Sequence, residues 1–182
     1  MNTTDPEDER TTDPAAGRAT ASTDGPTTPL TADDRRWLAR CVELAATARD
    51  AGDDPFGSVL VDGTGAMVAD ARNTVATDRD VTAHPELKLA RLASRQLTPD
   101  QRAAATMYTS GEHCPMCAAA HAYAGIGRLV FALSGAQLAE ATGQPGWGLT
   151  AADLLVRSGR DVEVVGPDPA FHDEVVALHL CG

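Results

Sequence analysis

Four residues carry most of the chemistry available to this sequence: His84, Glu86, Cys114 and Cys117. Thiolates and an imidazole nitrogen are the donors that hold a divalent ion such as zinc. Cys114-Pro115-Met116-Cys117 sets two thiols three positions apart at a helix start, where free N–H groups and the helix dipole favour negative sulfur. Pro115 suits that first turn, because the N–H it lacks would be unpaired there anyway. His84 precedes Pro85, and a residue before proline avoids the α region, so His84 reads as the cap of a second helix. Two helix starts can therefore meet around one cation. Three protein donors leave the fourth position of a tetrahedral zinc open, the catalytic rather than the structural pattern. Glu86 lies two residues past His84, where it can stand beside the ion without ligating it and take a proton from water. A Cys-x-x-Cys pair alone would also suit a redox dithiol or half of a four-cysteine zinc knuckle. The first has no use for the His and the Glu, and Cys41 and Cys181 are too far apart in the sequence to form a second such pair.

The elements that must position these groups are legible from periodicity. Thr31-Ala32-Asp33-Asp34 reads as a capped helix start, and Leu38, Cys41, Val42, Ala45 and Ala48 form a helical apolar stripe that should end at Gly52. Cys41 lies on that stripe as core. Residues 56–61 and 66–71 flank Asp62-Gly63-Thr64-Gly65 and read as a hairpin. A helix is predicted from Pro85 to about Leu97, with Pro99 barring its continuation. Then come a strand at 106–109, a helix at 115–123, a strand at 128–132, a helix at 151–157, a strand at 162–165 and a last helix opened by Asp168-Pro169. Strands alternating with helices after a hairpin imply an α/β fold, a mixed sheet covered on both faces.

Composition narrows the partners. The chain has 182 residues, a formal net charge of −11 and 43 % hydrophobic residues, enough for one domain with a core. Residues 1–30 hold eight Thr, four Pro and six acids against Arg10 and Arg18, with almost nothing large and apolar. They are expected to be a disordered acidic tail ahead of a folded domain at 31–182. No apolar run approaches the length of a membrane span, and no basic segment followed by an apolar stretch marks a secretory signal. The basic residues are scattered arginines plus Lys88, which disfavours a nucleic-acid partner. Cytoplasmic location is the expectation.

Thr82-Ala83-His84-Pro85-Glu86 and Glu112-His113-Cys114-Pro115-Met116-Cys117 resemble the two signatures of the zinc-dependent cytidine/deoxycytidylate deaminase superfamily. The resemblance runs from about Ala48 to Leu133 and includes Asp54-Pro55-Phe56-Gly57, Asn73 and Thr109-Ser110. It is strongest to the branch holding guanine deaminases, fungal-type cytosine deaminases and tRNA adenosine deaminases. The resemblance implies a three-layer α/β/α sandwich with a five-stranded mixed sheet. It also implies zinc on His84, Cys114 and Cys117, Glu86 as the catalytic proton carrier, and a homodimer or higher homo-oligomer. Asn73, Phe56 and Tyr123 fall where relatives contact the heterocycle. The implied reaction is hydrolytic removal of an exocyclic amino group from a nucleobase or nucleoside by zinc-activated water, releasing ammonia. A tRNA or other nucleic-acid editing deaminase and a non-catalytic zinc-stabilised binding domain are the alternatives. The acidic charge weighs against the first and Glu86 against the second.

The sequence departs from the pattern at Pro85, where Ala is usual, and at His113, where Pro is usual. His113 is expected at the pocket rim or exposed, and His121 as structural or at a subunit interface. His172, His179 and Cys181 read as a surface helix. Gln144-Pro145-Gly146-Trp147 lacks the acid that guanine deaminases carry after the fourth strand, which weighs against guanine.

Overall fold

Thr31 opens helix α1 (Ala32–Asp50) with a capping box: its side chain accepts from the Asp34 N–H, and the Asp34 carboxylate accepts from the Thr31 N–H. A computed structural model of the chain describes residues 29–180. Asp34 is itself buried and also accepts from Arg128 Nη1 at 2.6 Å and from the Tyr108 hydroxyl at 2.9 Å. One carboxylate thus caps α1 and ties it to two strands.

The strands are β1 (Gly57–Val61), β2 (Met67–Arg72), β3 (Thr106–Gly111), β4 (Arg128–Leu133) and β5 (Glu163–Val165), in the order β2-β1-β3-β4-β5. β1 runs antiparallel to β2 and to β3, whereas β3, β4 and β5 are parallel. Every residue of β1 is buried, as a central strand covered on both faces requires.

Alternation along the strands sorts the core into two layers. Val59, Val61, Tyr108 and Val130 face α1 and α8 (His172–Leu180), packing with Leu38, Val42 and Val175. Leu60 and Met107 point the other way, to Leu89 and Ala93 of α3 (Pro85–Gln96). Leu129 and Phe131 on that second face meet Ala118 and Ala122 of α5 (Pro115–Ala124) and Leu155 of α7 (Ala151–Arg157). Leu38 and Leu60 are 0 % exposed, and full burial of such a side chain is worth ~1.5–3 kcal/mol. At Gly57 the approach of α1 to β1 leaves no room for a side chain: a Cβ would lie 2.4 Å from the Cys41 carbonyl oxygen. The result is the expected α/β/α sandwich on a five-stranded mixed sheet.

Three short helices were not among the expected elements: α2 (Val75–Asp78), α4 (Pro99–Ala103) and α6 (Gly135–Thr142). Pro99 ends α3 and also opens α4, where it occupies the first turn behind a Thr98–Gln101 capping box. Ser134 and Gln137 form the same box at α6. Asp168 caps the 3-10 turn Pro169–Phe171 that leads into α8, and it holds Arg35 of α1 at 2.8 Å. Among the described residues no helix is long and apolar enough to cross a membrane. The acidic tail assigned to residues 1–30 falls, but for its last two residues, outside the described residues, and so does Cys181.

Candidate active site

The starts of α3 and α5 meet on the second face of the sheet. His84 is the N-cap of α3 (φ −72, ψ 141), with Pro85 behind it, and Cys114 is the N-cap of α5 (φ −66, ψ 166), with Pro115 behind it. Neither cap side chain bonds its own helix, so both are free for another partner. Cys117, one turn into α5, completes the group. His84 Nδ1 lies 3.8 Å from Cys114 Sγ and 3.6 Å from Cys117 Sγ, and the three donor atoms lie within 4.8 Å of one another. A tetrahedral zinc with its ordinary bond lengths sets nitrogen and sulfur ligands about 3.6 Å apart. The donor set and its spacing fit that ion.

The electrostatics of the triad follow from its contacts. Contact with Cys117 lowers Cys114 to about 4, against burial, which works the other way, and with help from His84. Cys117 is pushed up by the same contact with Cys114, and burial and the nearby Glu86 push it further. His84 is raised, first by its bond to Cys114. A thiol lowered in this way at a helix start is a good candidate cation ligand.

Glu86 sits in the first turn of α3 and is 4 % exposed. Its Oε1 accepts from the Thr109 hydroxyl of β3 at 3.0 Å, and its Oε2 accepts from the Cys117 thiol at 3.4 Å. Burial raises its pKa. The carboxylate therefore stands beside the His/Cys/Cys group without belonging to it, which is where a proton carrier has to be.

Backbone hydrogen bonds tie Phe56 to Asn73 and their loop to the residue before His84. The Asn73 N–H donates to the Phe56 carbonyl at 2.9 Å, and the Thr74 N–H donates to the carbonyl of Ala83, the residue before His84, at 3.1 Å. Asn73 is buried, with Oδ1 accepting from the Val75 N–H at 2.9 Å, so part of its amide is committed to its own loop. Sequence reasoning missed what holds that loop. Buried Asp53 accepts from the Thr77 N–H at 2.9 Å, the Thr77 hydroxyl at 2.6 Å and Arg72 at 3.2 Å. Lys88, the lone lysine, donates to the Arg72 carbonyl at 3.0 Å and to the Thr74 hydroxyl. Glu112, in the cysteine motif, has a structural task as well. It accepts from the Gly135 N–H at 2.9 Å and the Ala151 N–H at 2.8 Å, tying the cysteine loop to the starts of α6 and α7.

Several expectations need correcting. Tyr123 is 87 % exposed and lines a surface groove of about 350 Å³ with Leu87, Ala90 and Ala120, a groove that holds none of the triad. It lies six residues beyond Cys117, about 240° around an α-helix, so turning Cys117 to the site turns Tyr123 away. His113 is neither at a rim nor exposed. It is 3 % exposed and stacks edge-on against buried His121 with ring centroids 5.3 Å apart. Burial holds both imidazoles well below the ordinary histidine range, His121 at about 4. His172 is on the surface beside Asp173, as read. His179 is not, for it packs edge-on against Phe56 at 4.9 Å with Nε2 buried.

Comparison with known proteins agrees with this geometry. The sequence matches the MafB19-like deaminase family over residues 32–149. It is 33 % identical over 156 residues to a probable cytosine deaminase of Schizosaccharomyces pombe, covering 84 % of this chain and 93 % of that protein. It is 43 % identical over 82 residues to the guanine deaminase of Bacillus subtilis, covering 44 % of this chain and 52 % of that protein. A solved structure from work on A-to-I editing by tRNA:A34 deaminases superimposes with a TM-score of 0.63 at 25 % identity, over 79 % of this chain and 99 % of the other. A match over most of the folded chain, on a sheet order and a His/Cys/Cys group reached independently, means that this chain belongs to the MafB19-like deaminases, enzymes of the cytidine deaminase-like superfamily.

Proposed function

We propose that the chain is a zinc-dependent hydrolytic deaminase acting on a small neutral aminated heterocycle, a free nucleobase or a nucleoside. The observation that carries the reading is the Glu86 carboxylate, buried beside the His84/Cys114/Cys117 group yet outside it. A structural zinc site needs four protein donors and no neighbouring acid. The relative matched over nearly its whole length is named for cytosine and another for guanine, which supports a base-sized substrate, although a tRNA-specific adenosine deaminase of Agrobacterium fabrum is also 40 % identical over 94 residues.

His84, Cys114 and Cys117 would hold the ion. Zinc bound there supplies Lewis acidity, which brings the pKa of water at its open position to about 7. Glu86 takes one proton from the attacking water as its oxygen bonds to the ring carbon that bears the amine. It passes that proton to the adjacent ring nitrogen. The second proton goes by way of Glu86 to the amine, the carbon–nitrogen bond breaks, and ammonia leaves. Phe56 supplies an apolar wall, and the Asn73 amide supplies a hydrogen bond to the ring edge.

A homodimer or higher homo-oligomer is part of the proposal. The exposed Tyr123 in the groove between α3 and α5 supports it, since an aromatic side chain left in water is a natural contact for a second copy. Thiolate ligands serve only while reduced, which favours the cytoplasm. The test is an ammonia-release screen of the zinc-loaded protein over free bases, nucleosides and aminated heterocycles such as triazines. Turnover of at least one small substrate is expected. Activity on tRNA with none on any small molecule would replace this reading with the editing one.

A further inference from the structure

Behind Glu86, away from the thiolates, lies a short file of buried hydroxyls. Thr109 Oγ1 is 3.0 Å from Glu86 Oε1, and Ser58 Oγ is 3.0 Å from Thr109 Oγ1. Ser58 and Thr109 are directly opposed in the antiparallel β1–β3 register, and both are 0 % exposed. Their side chains share the face of the sheet that carries Leu60 and Met107, the face covered by α3. Strand alternation thus sets two hydroxyls beneath the first turn of the helix that carries Glu86.

Proton counting gives this file a direction. A carboxylate only accepts, and each hydroxyl has one hydrogen to give. Thr109 must therefore donate to Glu86 Oε1, and its own oxygen then accepts from Ser58. The competing acceptor for Thr109, the Gly57 carbonyl, is farther away at 3.4 Å. A bond to an ionised acceptor is also the stronger of the two. Ser58 is buried, so the file ends in the sheet and offers Glu86 no path to solvent.

The other carboxylate oxygen faces the opposite way. Oε2 lies 3.4 Å from Cys117 Sγ, one of the three donor atoms of the metal-binding group. The two oxygens of Glu86 are therefore in different surroundings, one tied to the sheet and one turned to the triad.

We propose that Thr109, backed by Ser58, is a positioning residue that locks the Glu86 carboxylate with Oε1 held by the sheet and Oε2 turned toward the His84/Cys114/Cys117 group. Without the Thr109 hydroxyl the carboxylate loses its fixed rotamer, and the fraction of time that Oε2 spends over the site falls. The effect on turnover rests on the deaminase reading, while the effect on the rotamer does not.

The test uses the full-length zinc-loaded protein with Thr109→Val, Thr109→Ser and Ser58→Ala. Valine keeps the branched shape of threonine and removes only the hydrogen bond, whereas serine keeps the bond. Thr109→Val should lower kcat about ten- to hundredfold with KM within about twofold and zinc content unchanged. Thr109→Ser should recover most of the wild-type kcat, and Ser58→Ala should lose less than Thr109→Val. A crystal structure of Thr109→Val should show the Glu86 carboxylate turned away from its wild-type position. Wild-type kcat in Thr109→Val, a loss confined to KM, or equal losses in the valine and serine variants would overturn the proposal. If the wild-type protein releases no ammonia from any heterocycle, the deaminase reading fails by itself and the crystal structure decides this inference. A Glu86 carboxylate unmoved in Thr109→Val would then contradict it, and a displaced one would support it.

Discussion

At the scale of single residues, the proposed function assigns an ion to one set of groups and a substrate to another. Removing a donor should remove the ion: Cys114→Ala or Cys117→Ala should take bound zinc from about one per chain to near none, as read by metal analysis. Cys41→Ala should keep its zinc, because Cys41 is buried in α1 and contributes only packing. Zinc retained at full occupancy without Cys114 would break the ligand assignment. Asn73→Ala should leave the metal in place and lower kcat/KM by one to two decades, since an unpaired polar edge of a bound ring costs ~1–3 kcal/mol. The four chemical residues could be read directly from the sequence, because the prolines after His84 and Cys114 announce two helix starts and the spacing does the rest. Tyr123 misled because a motif fixes position along the chain but not phase around a helix. His121 is structural, as its sequence position suggests, but His113 misled because two polar residues eight positions apart can bury each other only where α5 and its approach loop are in place. The place of His179 depends on how α8 lies against the Phe56 loop, and no local pattern encodes that.

At the scale of elements, Asp34 joins capping to sheet packing. Asp34→Ala removes a cap, a buried ion pair with Arg128 and the partner of the Tyr108 hydroxyl. A loss of about 3 kcal/mol is expected, which would lower the melting temperature by about 6–12 °C. The pH dependence has a definite sign. The Arg128 guanidinium, the Thr31 groups and the Tyr108 hydroxyl outweigh burial and hold the Asp34 carboxyl well below the usual range. Its stabilisation is therefore complete above the unfolded value near ~4 and is lost as pH falls toward the folded one. The stability gap between wild type and Asp34→Asn, measured by urea unfolding, should be constant from pH 7 to about 5 and narrow below that. A gap that widens on acidification would contradict the assignment. Longer elements were legible from apolar periodicity. The short helices were not, because α4 and α6 are signalled by capping boxes rather than by an apolar stripe. Reading Pro99 only as a stop concealed its second role as a start.

At the scale of the whole molecule, a net charge of −11 on 182 residues sets the long-range field. Such a field repels a phosphate backbone and leaves a neutral heterocycle unaffected. Turnover of a free base should therefore change less than about twofold between low and high salt, and a steep fall with added salt would point to a polyanionic substrate. The fold as a whole serves to bring two helix starts, one carboxylate and one loop to the same side of a mixed sheet, and the central claim is that this arrangement is a proton-transfer site on a metal. The most direct test compares wild type with Glu86→Gln at equal, measured zinc content, following ammonia release from the best substrate of the screen. Both proteins are expected to hold about one zinc per chain and the variant to lose about 10²–10⁴ in kcat. A Glu86→Gln protein that keeps its zinc and turns over at the wild-type rate would contradict it.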